Sequence, residues 1–303
     1  MKLNVISLRP LWYTLSAIMI LGSLILLGTW GLKQGIEFTG GSLLVVQFTN
    51  RPSPTEVSQT IQQKDQDNLG QFVAQPIGDR DMQFRLRNLS EKEHENLTTI
   101  LAEAYPGTTE QRFDAIGPVL GEELRNKSVQ GLIVVLLAIM AYVAYVFRKV
   151  SAPVQSWKYG LITLIAAFHD VIVPVGVFCI LGRFFGTEIG TPFIAAILTV
   201  MGYSVTDTIV VLDRVRENLP KMSTSFKEVV AASLRQTYLR SFNTSVTTLL
   251  TLFAIFFFGG KSLHDFTLTL IIGILVGTYS SIFIASPLLV TWNEWSQRRA
   301  VKK

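Results

Sequence analysis

Thr191–Leu212, TPFIAAILTVMGYSVTDTIVVL, holds a single charged side chain, Asp207. At 1.5 Å per residue a helix over this stretch is about 33 Å long, enough for a hydrocarbon core of about 30 Å. A carboxylate is expensive there, so its default reading is functional. The rest of the chain suits that setting. Over 303 residues, 49% are hydrophobic, only 16% are charged, and the mean hydropathy is +0.38. This balance excludes an ordinary soluble domain.

Working outward, runs of about 20 apolar residues recur at Leu11–Trp30, Ser128–Phe147, Trp157–Leu181, Ser241–Phe258 and Phe266–Val290. With Thr191–Leu212 they predict an α-helical polytopic membrane protein of six transmembrane helices. The first run is long for a signal-peptide core, and Trp30-Gly31-Leu32 is a poor cleavage site, so it reads as a retained anchor. The net charge of +5 forms no nucleic-acid patch. Lys2 and Arg9, then Arg148, Lys149 and Lys158, then Arg214, Arg216, Lys221, Lys227, Arg235 and Arg240, and finally Arg298, Arg299, Lys302 and Lys303 flank apolar runs on alternate sides. The positive-inside rule then puts both termini in the cytoplasm. Cys179 is the single cysteine and leaves no internal disulfide.

The charged block between the first two runs has the size of a small domain. Ser42–Phe48, Phe72–Pro76, Met82–Leu86 and Thr108–Ala115 are rich in strand formers. Helices are expected over Glu56–Lys64 and after Ser90, whose Glu93 completes a capping box. The order β-α-β-β-α-β predicts a small extracytoplasmic α+β domain of ferredoxin-like type between helices 1 and 2. The expected organisation is a cytoplasmic N-terminus and first helix (1–32), this domain (33–126), a five-helix bundle (127–292) and a basic cytoplasmic tail (293–303). His94 is expected on a solvated helix face.

The ionisable groups inside the apolar runs carry the chemistry. Asp207 sits roughly 6–9 Å inside the charged end of its run. Arg240 stands at the head of the next run at a similar depth, so the two form a candidate proton switch, with a fixed ion pair as the alternative. Asn243, Thr244, Thr247 and Thr251 continue from Arg240 at helical spacing, and Ser204 precedes Asp207 by one turn. Asp170 is a second candidate carboxylate. His169 is expected to point about 100° away from it, as a packing residue. Gly273 and Gly277 form a GxxxG helix-packing pattern. No protease motif occurs and the three histidines fall in different environments, so no catalytic site, metal site or organic cofactor is expected; without a phosphate-binding loop an ion gradient is the available energy source, with protons as the expected coupling ion.

Several runs carry a resemblance. They are Glu37-Phe38-Thr39-Gly40-Gly41-Ser42, Gly117-Pro118-Val119 with Gly121-Glu122-Glu123-Leu124, Ala167-Phe168-His169-Asp170-Val171, Gly202–Asn218, Arg240 with Thr244–Leu249, and Gly277–Pro287. Together they resemble the SecF branch of the SecD/SecF protein-export family, within the resistance-nodulation-division superfamily. Thr206 departs from the family's usual Asn or Asp. The resemblance implies a non-enzymatic subunit that pairs with SecD beside the SecYEG channel and assists a translocating polypeptide with the proton-motive force. It gives Asp207 the proton-carrying role, Arg240 the partner role and Asp170 a weaker one. The membrane would be the bacterial inner membrane, or an internal photosynthetic one where a cell has both, with lipid as the surrounding partner and no nucleic acid. Two other functions fit the residues: a half-size small-molecule proton antiporter, and a non-transporting assembly factor with a structural ion pair.

Overall fold

The computed structural model describes residues 5–64, 69–148 and 154–301; Lys2, Lys149, Lys302 and Lys303 of the charge reading lie outside them. The chain divides into two compact units, Met1–Lys33 with Gln130–Lys303, and Gln34–Val129.

The Gln34–Val129 unit opens with a single turn, α2 (Ile36–Thr39), after the long first helix α1 (Arg9–Thr29). It continues through β1 (Gly41–Gln47), α3 (Pro54–Lys64), β2 (Val73–Ile77), β3 (Asp81–Leu86), α4 (Glu91–Ala104) and β4 (Thr109–Ile116). The strand order is β2-β3-β1-β4 with every neighbouring pair antiparallel, which is the split βαβ arrangement. Alternation builds its core: Met82, Phe84 and Leu86 of β3 turn inward with Leu44 and Val46 of β1. Val57 and Ile61 of α3, and Leu97 and Leu101 of α4, close over them. The Ser90–Glu93 capping box starts α4. Arg87, the strongest influence, and then the Ser90 backbone and hydroxyl hold the Glu93 carboxyl down at about 2.

Two adjacent glycines fix how this unit begins. Gly40 (φ +72°) and Gly41 (φ +123°) adopt backbone that side chains disfavour. A Cβ on Gly40 would lie 2.7 Å from the Pro118 Cα, and one on Gly41 would lie 2.7 Å from the Leu86 carbonyl oxygen. His94 differs from expectation. Its ring stacks on Phe113 at 3.7 Å and its Nε2 meets Glu110 at 2.9 Å, leaving the side chain 13% exposed. The helix face it occupies lies over β4, not over solvent.

The other unit contains α1, the greater part of α5 (Pro118–Val146), α6 (Ser156–Phe185), α7 (Thr191–Asn218), α8 (Phe226–Phe258), α9 (Lys261–Ser280) and α10 (Ser286–Val301). A π-helical turn, Ser281–Ala285, joins α9 to α10 without a break. Among the described residues six helical stretches are long and apolar enough to span a bilayer. The first five are α1 and α5–α8, and the sixth is Leu263–Arg299. α7 packs most intimately on α9, with α6 and α8 on its flanks. α5 touches the bundle near its end, where Phe147 stacks on Tyr159 at 5.0 Å.

Helices overrun the apolar runs that announced them. α8 begins at Phe226, fifteen residues before Ser241, because a Ser225–Glu228 capping box starts it there. Asn218 at the end of α7 reaches across to Ser233 (2.9 Å) and Gln236 (3.0 Å) of α8. Arg240 is therefore mid-helix, not at a helix entrance. Arg9 of α1 pairs with Glu294 of α10 at 2.7 Å, so the first and last helices bring their terminal ends together.

Candidate functional site

Where α6, α7 and the α9 end meet, a carboxylate is entirely enclosed. Asp170 of α6 has no solvent exposure. Its Oδ2 accepts hydrogen bonds from the Ser204 hydroxyl of α7 and from the Ser280 hydroxyl at 2.7 Å. Its Oδ1 lies 2.9 Å from His169 Nδ1. A buried carboxylate is tolerable only with such partners. The expectation that His169 points away is corrected here: the imidazole is long enough to turn back along the helix onto its neighbour. Its Nε2 is buried without a partner, and its ring sits 5.8 Å from that of Tyr279. The Tyr279 hydroxyl in turn meets Ser16 at 3.0 Å and donates to the Trp12 carbonyl, tying α1 to the site.

Asp207 lies one turn beyond Ser204 on α7 and is partly buried. The hydroxyls of Ser241 (α8) and Ser281 lie against its carboxylate. Oδ2 of Asp207 and the Ser241 Oγ are both buried without a hydrogen-bond partner. Ser281 itself is shared: it meets the Thr208 hydroxyl at 3.0 Å and the Ser204 carbonyl at 3.4 Å. Consecutive helical residues point about 100° apart, so Ser280 and Ser281 reach two different carboxylates from one turn. That turn begins the π-helical segment, a distortion often found at functional sites. The Ser286 hydroxyl donates to the Ser281 carbonyl at 3.0 Å, a carbonyl that the widened turn exposes.

Close helix approach makes this possible. A Cβ on Gly277 would lie 2.9 Å from the Ser204 Cβ, and one on Gly273 would lie 2.3 Å from a Val200 methyl. The two glycines thus face α7 and seat α9 against it.

Other sequence-selected residues lie elsewhere. Arg240 is exposed on α8 and makes no side-chain hydrogen bond or ion pair among the described residues, so it is not joined to Asp207 in this structure. Ser241, its neighbour, takes the position facing Asp207. Thr244 donates to the Arg240 carbonyl at 2.9 Å, and Thr247 to the Asn243 and Thr244 carbonyls. These hydroxyls satisfy their own helix and leave Asn243, Thr244 and Thr247 on an exposed polar face. Ser204 serves Asp170 instead of Asp207. Sequence reasoning gives no site role to Thr208, Ser241, Ser280 or Ser281. Their signal was hydroxyls spaced to meet α7 one turn after Gly277. Among the described residues no three His, Cys, Asp or Glu side chains gather as a metal site.

Six membrane-length helices that carry a buried, serine-bonded Asp170 and a partly buried Asp207, with a split βαβ unit between the first two in sequence, define a polytopic membrane protein with an ionisable core. The family described as protein export membrane protein SecD/SecF, C-terminal, matches residues 96–295, and the SecD/SecF GG motif matches residues 25–50, which contain Gly40 and Gly41. The protein translocase subunit SecF of Thermobaculum terrenum is 42% identical over 300 residues, covering 96% of this chain and 94% of that protein. The SecDF subunit of Thermus thermophilus is 34% identical, covering 90% of this chain but 36% of that protein. A crystal structure of SecDF from that organism superposes with a TM-score of 0.83 at 30% identity, over 97% of this chain and 39% of the other. The chain belongs to the SecD/SecF family, in its SecF branch.

Proposed function

We propose that this chain acts with a SecD-type partner as a membrane subunit of protein export, beside a SecYEG-type channel, and couples proton movement to the progress of a polypeptide. The SecDF relative, in which a SecF-like part is fused into a longer chain, supports the partnership. The exposed polar face of α8, with Gly202 and Thr206 exposed on α7, is unsuited to lipid and suits partner helices. Both termini would be cytoplasmic, in the bacterial inner membrane, in keeping with the basic loops.

One observation carries the proton reading. Two carboxylates on neighbouring helices lie against one cluster of serines: Ser204 and Ser280 donate to Asp170, while Asp207, beside Ser241 and Ser281, keeps a buried oxygen without a partner. Asp170 is fully supplied with donors and acts as the fixed member. Asp207 is the member that gains and loses a proton, and Arg240, which precedes the Ser241 beside it and has no ion pair among the described residues, is the cation whose approach would favour the charged form. Hydroxyls both donate and accept, so the serines can pass a proton between them. The ion gradient would supply the energy.

The test is export in vesicles that hold the chain with its SecD-type partner and the channel. Asp207→Asn should abolish the proton-gradient-dependent part of export while the complex still assembles. Undiminished export by Asp207→Asn sinks the reading.

A further inference from the structure

The side of α8 away from its polar face borders a groove of about 530 Å³. It is walled by Val5 of the N-terminal segment, by Arg235, Tyr238, Phe242 and Leu249 of α8, and by Leu275 of α9. We propose that this groove binds one anionic glycerophospholipid, with its phosphate at Arg235 and an acyl chain running past Phe242 to Leu249 and Leu275. The proposal rests on the chain being a multi-pass membrane protein and is independent of the proton mechanism.

Length agrees. Arg235 and Leu249 are fourteen residues apart on one continuous helix, about 21 Å, which suits one chain crossing one leaflet. Charge agrees as well. The acidic groups near this end are already committed: Glu217 to Arg214 (2.9 Å), Asp213 to Arg216 (2.8 Å), Glu294 to Arg9 (2.7 Å), and Glu228 to the α8 cap. Arg235 is exposed and makes no ion pair or side-chain hydrogen bond among the described residues. A cation without an anion at the head of an apolar, membrane-embedded groove matches an anionic headgroup. Tyr238 (41% exposed) and Phe242 (55% exposed) follow it, an arrangement of interfacial aromatics.

A protein helix fits the groove less well. The inner polar groups satisfy one another: Ser245 pairs with Thr278 at 2.6 Å. What remains is apolar, and in a bilayer acyl chains cover apolar walls as well as another helix does. The polar side that demands a protein partner lies elsewhere, since Thr244 is two residues from Phe242, about 200° around the helix.

The experiment is native mass spectrometry of the purified full chain in detergent, titrated with phosphatidylglycerol and with phosphatidylcholine of the same chains. The wild type should retain phosphatidylglycerol about fivefold better, the effect of one basic residue at the headgroup. Arg235→Gln should erase that preference, and Arg235→Lys should keep it. Leu249→Trp, which fills the groove, should weaken both lipids alike. Equal retention of the two lipids by the wild type, or an unchanged preference in Arg235→Gln, overturns the proposal. So does loss of the phosphatidylglycerol preference when a SecD-type partner is bound, because the groove would then be a protein interface.

Discussion

Replacing Gly277 with alanine tests whether helix packing and the buried carboxylate are one structure. The new Cβ would lie 2.9 Å from the Ser204 Cβ and 3.1 Å from its Oγ, so Ser204 must move. Overpacking alone costs about 1–3 kcal/mol. Because the Ser204 hydroxyl donates to Asp170, displacing it also removes a hydrogen bond to a charged group, about 1.5–3 kcal/mol more. The expected loss is about 2.5–6 kcal/mol, read from equilibrium unfolding of the full chain in mixed micelles. The diagnostic variant is the double one. Ser204→Gly forfeits the hydrogen bond but restores the space, so Gly277→Ala with Ser204→Gly should be at least 1 kcal/mol better than the sum of the singles, on the scale of neighbouring-residue coupling. Additivity within about 0.5 kcal/mol would refute the contact.

Ser280→Ala removes one of the donors to Asp170 and should cost about 1.5–3 kcal/mol in the same unfolding measurement. Gly41→Ala places a side chain at φ +123° against the Leu86 carbonyl; about 1–3 kcal/mol of backbone strain should appear as faster amide exchange in β1 and β3. Glu93 is held at about 2 against an ordinary 4.5. Its contribution is complete above 4.5 and fades as pH falls toward 2, since the unfolded chain then binds the proton first. Amide exchange in the first turn of α4 should therefore quicken over that window, and Glu93→Gln should flatten the dependence.

The membrane helices were legible because an apolar run of bilayer length has few other uses. The βαββαβ order was legible because alternation in Met82–Leu86 and the Ser90–Glu93 cap are local signals. Less of the site was legible. Apolar runs mark where charge ends, not where backbone hydrogen bonding ends, so the sequence places Arg240 at the entrance of a run that starts at Ser241, whereas α8 starts at Phe226. Side-chain direction also escaped the sequence. Spacing along α7 sets Ser204 one turn from Asp207, whereas its hydroxyl turns across to Asp170 on another helix. The angle between adjacent helical residues directs His169 away from Asp170, but the imidazole is long enough to reach back to it. The π-helical turn at Ser281–Ala285 has no periodic signature short of Pro287, whose missing N–H is easiest to accommodate next to such a turn.

Proton binding by Asp207 is the claim on which the proposed mechanism depends. Infrared difference spectra of the full chain, recorded across a pH titration, read the carbonyl band of a protonated carboxylic acid directly. The account predicts a band that grows as pH falls and is absent from the Asp207→Asn variant. A wild-type spectrum without any band that Asp207→Asn removes would contradict it and leave Asp207 a fixed charge.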